Sequence, residues 1–215
     1  MFCDKCGGTG VIVWFDEKGK CMSKKCECYD VEIARQRIEK SGMIRTKIFK
    51  NFKQETNKQK SAYQTCISYT PDQSLLLLGQ VGAGKTHLCM AIGNKLLDEG
   101  IPVVYMDYRR VINELKFNIT DREYVNTESR RYINAKVLII DDFFKGGSTE
   151  AEIRIMYEII DQRYKQNLSF IISSEYPLQK LMQIDEAIAS RIAERANGNV
   201  IDFGVSKRDN YRMRG

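Results

Sequence analysis

Leu75-Leu76-Leu77-Leu78 runs without a break into Gly79-Gln80-Val81-Gly82-Ala83-Gly84-Lys85-Thr86. The four leucines read as a short buried strand, and the next eight residues match G-x-x-x-x-G-K-[ST] at every fixed position. The glycines let backbone N–H groups turn toward phosphate oxygens, and the helix opening near Lys85 adds the positive end of its dipole. Lys85 can reach the β- and γ-phosphates, and the Thr86 hydroxyl can ligate Mg²⁺. A glycine turn without a ligand would not need a buried strand to deliver a lysine at that point. Gly79 to His87 is therefore the candidate nucleotide-contact stretch. His87, the only histidine, falls on a helix position facing away from the loop, where packing is its ordinary role.

Downstream, Val137-Leu138-Ile139-Ile140 ends in Asp141-Asp142. Four apolar residues make a central strand, and two carboxylates appear at its C-terminal end. Asp141 is placed to hold the Mg²⁺ shell directly or through Thr86, and Asp142 to polarise an attacking water. Capping of the following helix is the alternative use for such a pair.

Between and beyond these motifs, short apolar strands alternate with helices. Strands are expected at 75–78, 103–106, 137–140, 168–172 and 199–203. Helices are expected at 30–41, 58–69, 85–98, 149–165 and 185–196, with helical, polar sequence from 107 to 134. That alternation indicates an α/β fold, a parallel sheet covered by helices on both faces.

The N-terminus has a different character. Cys3, Cys6, Cys21, Cys26 and Cys28 crowd into the first 28 residues, whereas Cys66 and Cys89 sit at apolar helical positions and read as core. No secretory signal is expected, so the cluster points to metal rather than disulfides. Cys3-x2-Cys6 and Cys26-x-Cys28 would supply four thiolates to a closed, structural Zn²⁺ site, with Cys21 able to replace either member of the second half. Free thiols or an iron–sulfur cluster are the alternatives. A metal would fold a segment too short for its own core.

Composition narrows the class further. The chain has 215 residues, 43% hydrophobic and 29% charged, as expected of a soluble globular protein. Its apolar runs fall far short of the roughly 20 residues a membrane helix needs, so a cytoplasmic location is expected. The net charge of +6 is unevenly spread: residues 1–70 hold 14 basic and 8 acidic side chains, and residues 71–215 hold 20 of each. The expected division is a docking module at 1–42, a basic linker and leading helix at 43–70, and the nucleotide-binding domain at 71–215. Phe49 and Phe52 in the linker are expected to dock on that last domain.

With these motifs in hand, the sequence resembles the AAA+ ATPases of the bacterial helicase-loader group, which includes the DnaC and DnaI loaders and the IstB transposition ATPases. The likeness rests on the phosphate loop followed by His87-Leu88, the paired aspartates, and Ser190-Arg191-Ile192. Cys6-Gly7-Gly8-Thr9-Gly10, Cys26-x-Cys28, and Ser41-Gly42-Met43 ahead of Phe49–Phe52 are similar to the DnaI-like branch and its phage relatives.

The resemblance implies an AAA+ P-loop core, and a full lid domain is not expected in 215 residues. The resemblance makes Ser173 or Ser174 the polar sensor, Arg191 an arginine finger serving a neighbouring subunit, and Arg212 a second arginine sensor. It also implies ATP with Mg²⁺, self-association through the ATP site, and a hexameric replicative helicase as partner in a bacterial cytoplasm, or that of a phage's host. Residues 107–134 would line single-stranded DNA, using Arg109, Arg110, Lys116, Arg122, Arg130 and Arg131 with Tyr108, Phe117, Tyr124 and Tyr132. An IstB-like transposition regulator, a P-loop small-molecule kinase and a non-hydrolysing zinc adaptor are the competing readings.

Overall fold

A computed structural model of the chain describes residues 3–7 and 9–204. The described residues form two compact units that divide between Lys40 and Ser41. The first is built on an antiparallel hairpin, β1 (Val11–Phe15) and β2 (Cys21–Lys25), followed by α1 (Glu27–Ser41). The sequence reading missed this hairpin, because its strands are not apolar on one face and polar on the other. Val11, Val13, Trp14, Phe15 and Met22 are all exposed. Asp16 closes the turn by accepting the N–H groups of Lys18 and Lys20, both at 2.9 Å.

The second unit carries α2 (Asn57–Ile67), β3 (Leu75–Leu78), α3 (Lys85–Asp98), β4 (Val103–Asp107), α4 (Tyr108–Phe117) and α5 (Arg122–Ile133). It continues with β5 (Val137–Asp141), α6 (Glu150–Lys165), β6 (Ser169–Ser174), α7 (Leu178–Ile184), α8 (Glu186–Ala196) and β7 (Val200–Asp202). Five strands form one parallel sheet in the order β4-β5-β6-β3-β7. Every expected strand and helix of this unit is present. The polar 107–134 stretch resolves into two helices, each opened by an aspartate cap: Asp107 accepts from Arg110 N–H and Asp121 from Tyr124 N–H. α7, only seven residues long, gave no readable helical period.

Strand alternation divides the core. Leu76, Leu78, Leu138, Ile140, Phe170 and Ile172 meet the layer containing α4 to α8. On the other face α3 lies so close to the sheet that a Cβ on Gly93 would come within 2.8 Å of Ile139 and 2.5 Å of Met43.

Residues 43–70, expected as a basic linker and leading helix, belong to this second unit together with Ser41 and Gly42. Ser41, Met43, Phe52, Gln59, Ala62 and Cys66 are buried. The Asn94 side-chain amide, on α3, donates to the Ile44 and Lys47 carbonyls at 3.0 and 2.8 Å. A basic segment thus becomes part of the domain through a few apolar anchors and one buried amide.

Arg163, on α6, is fully buried. Its Nη1 donates to the carbonyls of Tyr132, Ile133 and Ala135 at 2.8–2.9 Å, and its Nη2 donates to Ser169 O. The guanidinium thereby serves the orphan carbonyls at the end of α5. Burial pulls its pKa down to about 10, which still leaves it charged at neutral pH. Arg163→Ala strands these acceptors and should cost roughly 3 kcal/mol or more, read as a lower midpoint in urea unfolding. Arg163→Lys should recover part of that loss.

Candidate functional site

The parallel sheet brings its chemistry to the C-terminal ends of the strands, where such folds bind ligands. In register, Leu78 of β3 lies beside Ser174 of β6, and Asp107 of β4 beside Asp141 of β5. The turn leaving β3 enters α3 through Gly84 at φ +99°. A Cβ there would stand 2.7 Å from the Phe52 ring, so glycine answers both the backbone angle and the close approach.

A cavity of about 390 Å³ opens over this turn. Val81, Gly82, Gly84, Lys85, Thr86 and His87 line one side, and Asp142, Lys145 and Glu175 another. Lys47, Asn51, Phe52 and Lys53 complete the wall from the segment expected as a linker. Gly79 and Gln80 do not line it; their carbonyls accept from the Lys85 ammonium at 2.6 and 2.8 Å. Ala83 is buried beneath the turn. Burial lowers the Lys85 pKa, opposed by the nearby Asp142, Glu175 and Asp141.

Asp141 is only 4% exposed and sits behind the cavity wall. Three hydroxyls from three different elements converge on it. Thr86 donates to Oδ1 at 3.1 Å, Tyr105 to Oδ2 at 2.8 Å, and Ser173 donates to Oδ1. Burial first, and Asp141 next, push the Tyr105 phenol pKa up, so it stays a donor. Asp142 adopts φ +56°, its N–H bonds Ser173 Oγ at 2.9 Å, and its carboxylate lies 2.8 Å from Lys145. Hard oxygens at Thr86 and Asp141 suit Mg²⁺.

The other expected site residues divide. Ser174 is turned away, donating to Phe143 O at 2.9 Å, so the two candidate sensor serines differ: only Ser173 touches the acidic pair. His87 lines the cavity rather than facing away, and bonds Ile48 O at 3.0 Å. Arg191, on α8, is not among the cavity residues. Its Nε lies 3.1 Å from Asp161 Oδ1, and the guanidinium stacks over Tyr157 and Tyr164 at 5.2 and 5.7 Å. Glu194, three residues further along α8, accepts from the Tyr164 hydroxyl at 2.9 Å. Arg212 lies outside the described residues.

Along 107–134, Tyr108 and Tyr132 are core residues and Lys116 pairs with Glu152 at 2.9 Å, so they are not a stacking surface. Arg109, Arg110, Arg122, Arg130 and Arg131 remain on the exterior, with Phe117 88% exposed.

Residues that the sequence reading left without a role here are Tyr105, Lys145 and Glu175. Tyr105 sits two residues before the end of β4. Its alternation could have placed it on the α3 side, but not opposite Asp141.

In the N-terminal unit, the Sγ atoms of Cys3, Cys6, Cys26 and Cys28 all lie within 4.8 Å of one another. Cys3 and Cys26 are 3.7 Å apart and Cys6 and Cys28 3.4 Å. Zinc–thiolate bonds of about 2.3 Å in a tetrahedron would place sulfurs about 3.8 Å apart, so the cluster fits a four-thiolate metal. Hydrogen bonds with Cys6 and then Cys26 raise the Cys28 thiol pKa, whereas a bound cation favours the thiolate. Cys21 is exposed on β2 opposite Phe15, at the far end of the hairpin from the cluster.

A family model described as IstB-like ATP binding protein matches residues 33–214. Phage-like element PBSX protein XkdC of Bacillus subtilis (strain 168) is 32% identical over 185 residues, covering 78% of this chain and 68% of XkdC. The chain spans 68% and 63% of two curated Bacillus subtilis relatives, so about two thirds of their length. The crystal structure of the DnaC helicase loader shares the fold with a TM-score of 0.65 at 22% identity, over 73% of this chain and 96% of that one. The replication initiator DnaA bound to AMPPCP and single-stranded DNA shares it with a TM-score of 0.63 at 20% identity, over 77% and 52%. Among the described residues, no helix is long and apolar enough to cross a membrane.

The thiol cluster generates a direct test. Elemental analysis of chain prepared without chelators should find about one metal ion per chain. Cys26→Ser should lose most of it, and Cys21→Ser should keep it.

Proposed function

The chain belongs to the IstB-like ATP-binding protein family, and from that membership we propose that it is an ATP-hydrolysing loader or remodeller of a replicative DNA helicase. The observation that carries the hydrolytic part is the Asp141 carboxylate tied to Thr86 and Ser173 beside a cavity that also holds Lys85 and Asp142. The loader part draws support from the fold shared with the DnaC helicase loader and from the thiol-clustered unit at the N-terminus.

In this reading the Lys85 ammonium exchanges the Gly79 and Gln80 carbonyls for phosphate oxygens. Thr86 and Asp141 would hold Mg²⁺, which would supply neutralisation of the phosphate charge. Ser173 positions Asp141 and the Asp142 backbone, and Asp142 accepts a hydrogen bond from the attacking water.

Arg191 serves the ATP of a neighbouring copy. The Asp161 carboxylate and two tyrosine rings hold its guanidinium, which lowers the entropic cost of presenting it. The exposed arginines of α4 and α5, with Phe117, contact single-stranded DNA by phosphate pairing and stacking. Cys3, Cys6, Cys26 and Cys28 hold Zn²⁺ as a structural ion, and that unit docks on the helicase in the bacterial cytoplasm. An IstB-like transposition regulator is the second reading, favoured by the family description itself; its partner would be a transposase and its preference duplex DNA. Family membership favours both over a small-molecule kinase.

ATP turnover should rise with single-stranded DNA or helicase, and helicase should be recovered from bacterial lysate on this chain with ATP present. Recovery of a transposase instead would select the second reading. Asp142→Asn should keep ATP binding and lose turnover by about a hundredfold or more. Arg191→Ala mixed with wild type should depress turnover beyond simple dilution; strict proportionality would remove Arg191 from a neighbour's site. Single-strand affinity should fall steeply as salt rises.

A further inference from the structure

Lys145 sits at the meeting point of the two acidic groups on the cavity wall. Its ammonium is 2.8 Å from Asp142 Oδ2 and 2.9 Å from Glu175 Oε1. All three side chains are partly buried, between 24% and 32% exposed, so neither ion pair is a loose surface contact.

The backbone beneath is firmly placed. Phe143 N–H donates to Ser173 O at 2.8 Å, and Lys145 N–H to Asp142 O at 3.0 Å. Phe143 and Phe144 are fully buried and stacked with centroids 4.0 Å apart, both edge-on to Tyr108. Lys145 thus hangs a flexible four-carbon arm from a fixed Cα.

Charge decides what that arm is for. In the ATPase reading above, Lys85 serves the phosphates from the loop, while Asp142 and Glu175 face the same cavity. A terminal phosphate entering beside Asp142 and Glu175 meets like charge unless a cation stands between them. Lys145 is the cation that already touches both, and its pKa is raised: the two carboxylates outweigh the burial that alone would lower it.

We infer that Lys145 reads the γ-phosphate from within the same chain. Without a γ-phosphate its ammonium ties Asp142 to Glu175; with ATP bound it turns to the γ-phosphate and frees Asp142. ADP carries no group that draws it away. This inference rests on the ATPase reading above and adds to it a residue that distinguishes triphosphate from diphosphate.

Calorimetric titration of the full chain with Mg-ATP and Mg-ADP tests it. Lys145→Gln should lower the ratio of ATP to ADP affinity by roughly tenfold or more, as expected for loss of one charge-assisted contact. Lys145→Arg should keep most of that ratio. The double variant Lys145→Gln/Glu175→Gln restores the local charge balance, and its ratio should stay low. A return to the wild-type ratio in the double variant would show that Lys145 only neutralises Glu175, and would overturn the inference. So would an unchanged ratio in Lys145→Gln.

If Lys145→Gln does not fold, the wild-type chain carries the test by lysine ε-carbon NMR. The signal missing from Lys145→Arg should shift with a non-hydrolysable ATP analogue and not with ADP, and equal shifts would overturn the proposal. Failure of the underlying reading looks different: wild type would bind neither nucleotide, or Lys85→Ala would bind ATP as tightly as wild type.

Discussion

A carboxylate with almost no access to water must be bonded by the protein or lose its charge, and Asp141 is the group on which the second unit turns. Its hydroxyl donors come from α3, β4 and β6, and Asp141 itself ends β5. Four elements must therefore arrive at one point. The parallel sheet makes this possible, because every strand ends at the same edge and β6 lies between β5 and β3. Thr86 can reach Asp141 only because the turn after β3 enters α3 at once. The apolar layers on both faces hold the strands in the register that this convergence needs.

The cavity above is a balance of opposed charges. Lys85 satisfies itself on carbonyls of its own loop, while Lys145 holds Asp142 and Glu175. Each ammonium is bonded, yet each bond is one that a phosphate oxygen can replace. Phe52 closes the opposite wall against Gly84, stacked on Tyr63 and edge-on to His87. Lys47, Asn51, Phe52 and Lys53 thus line the cavity as well as joining the domain, which the lysine-rich composition of their segment concealed.

Legibility followed the kind of signal. Leu75–Leu78 and Val137–Ile140 were plain because buried parallel strands are apolar on both faces. The structure shows capping boxes at Thr56 and Thr149 opening α2 and α6, a local signal that the sequence reading did not use. The hairpin at 11–25 lacks a polar–apolar alternation, and α7 is too short to show a period. Among the cysteines, spacing alone left Cys21 in play. Hairpin register removed it, pairing Cys21 with Phe15 while Cys26 N–H closes on Gly10 O at 2.9 Å, beside Cys6.

By itself the sequence determined the strand–loop–helix that can cradle phosphate, the acidic end of β5, the α/β alternation and the presence of a thiol-rich unit. These are local properties, written in residues adjacent along the chain. Only the tertiary structure decided that Ser173 rather than Ser174 bonds Asp141, that Tyr105 donates to the same carboxylate, and that Lys145 bridges Asp142 and Glu175. Those choices depend on strand order and register, which bring together residues roughly 30 or more apart in sequence and turn neighbouring side chains to opposite faces of the sheet.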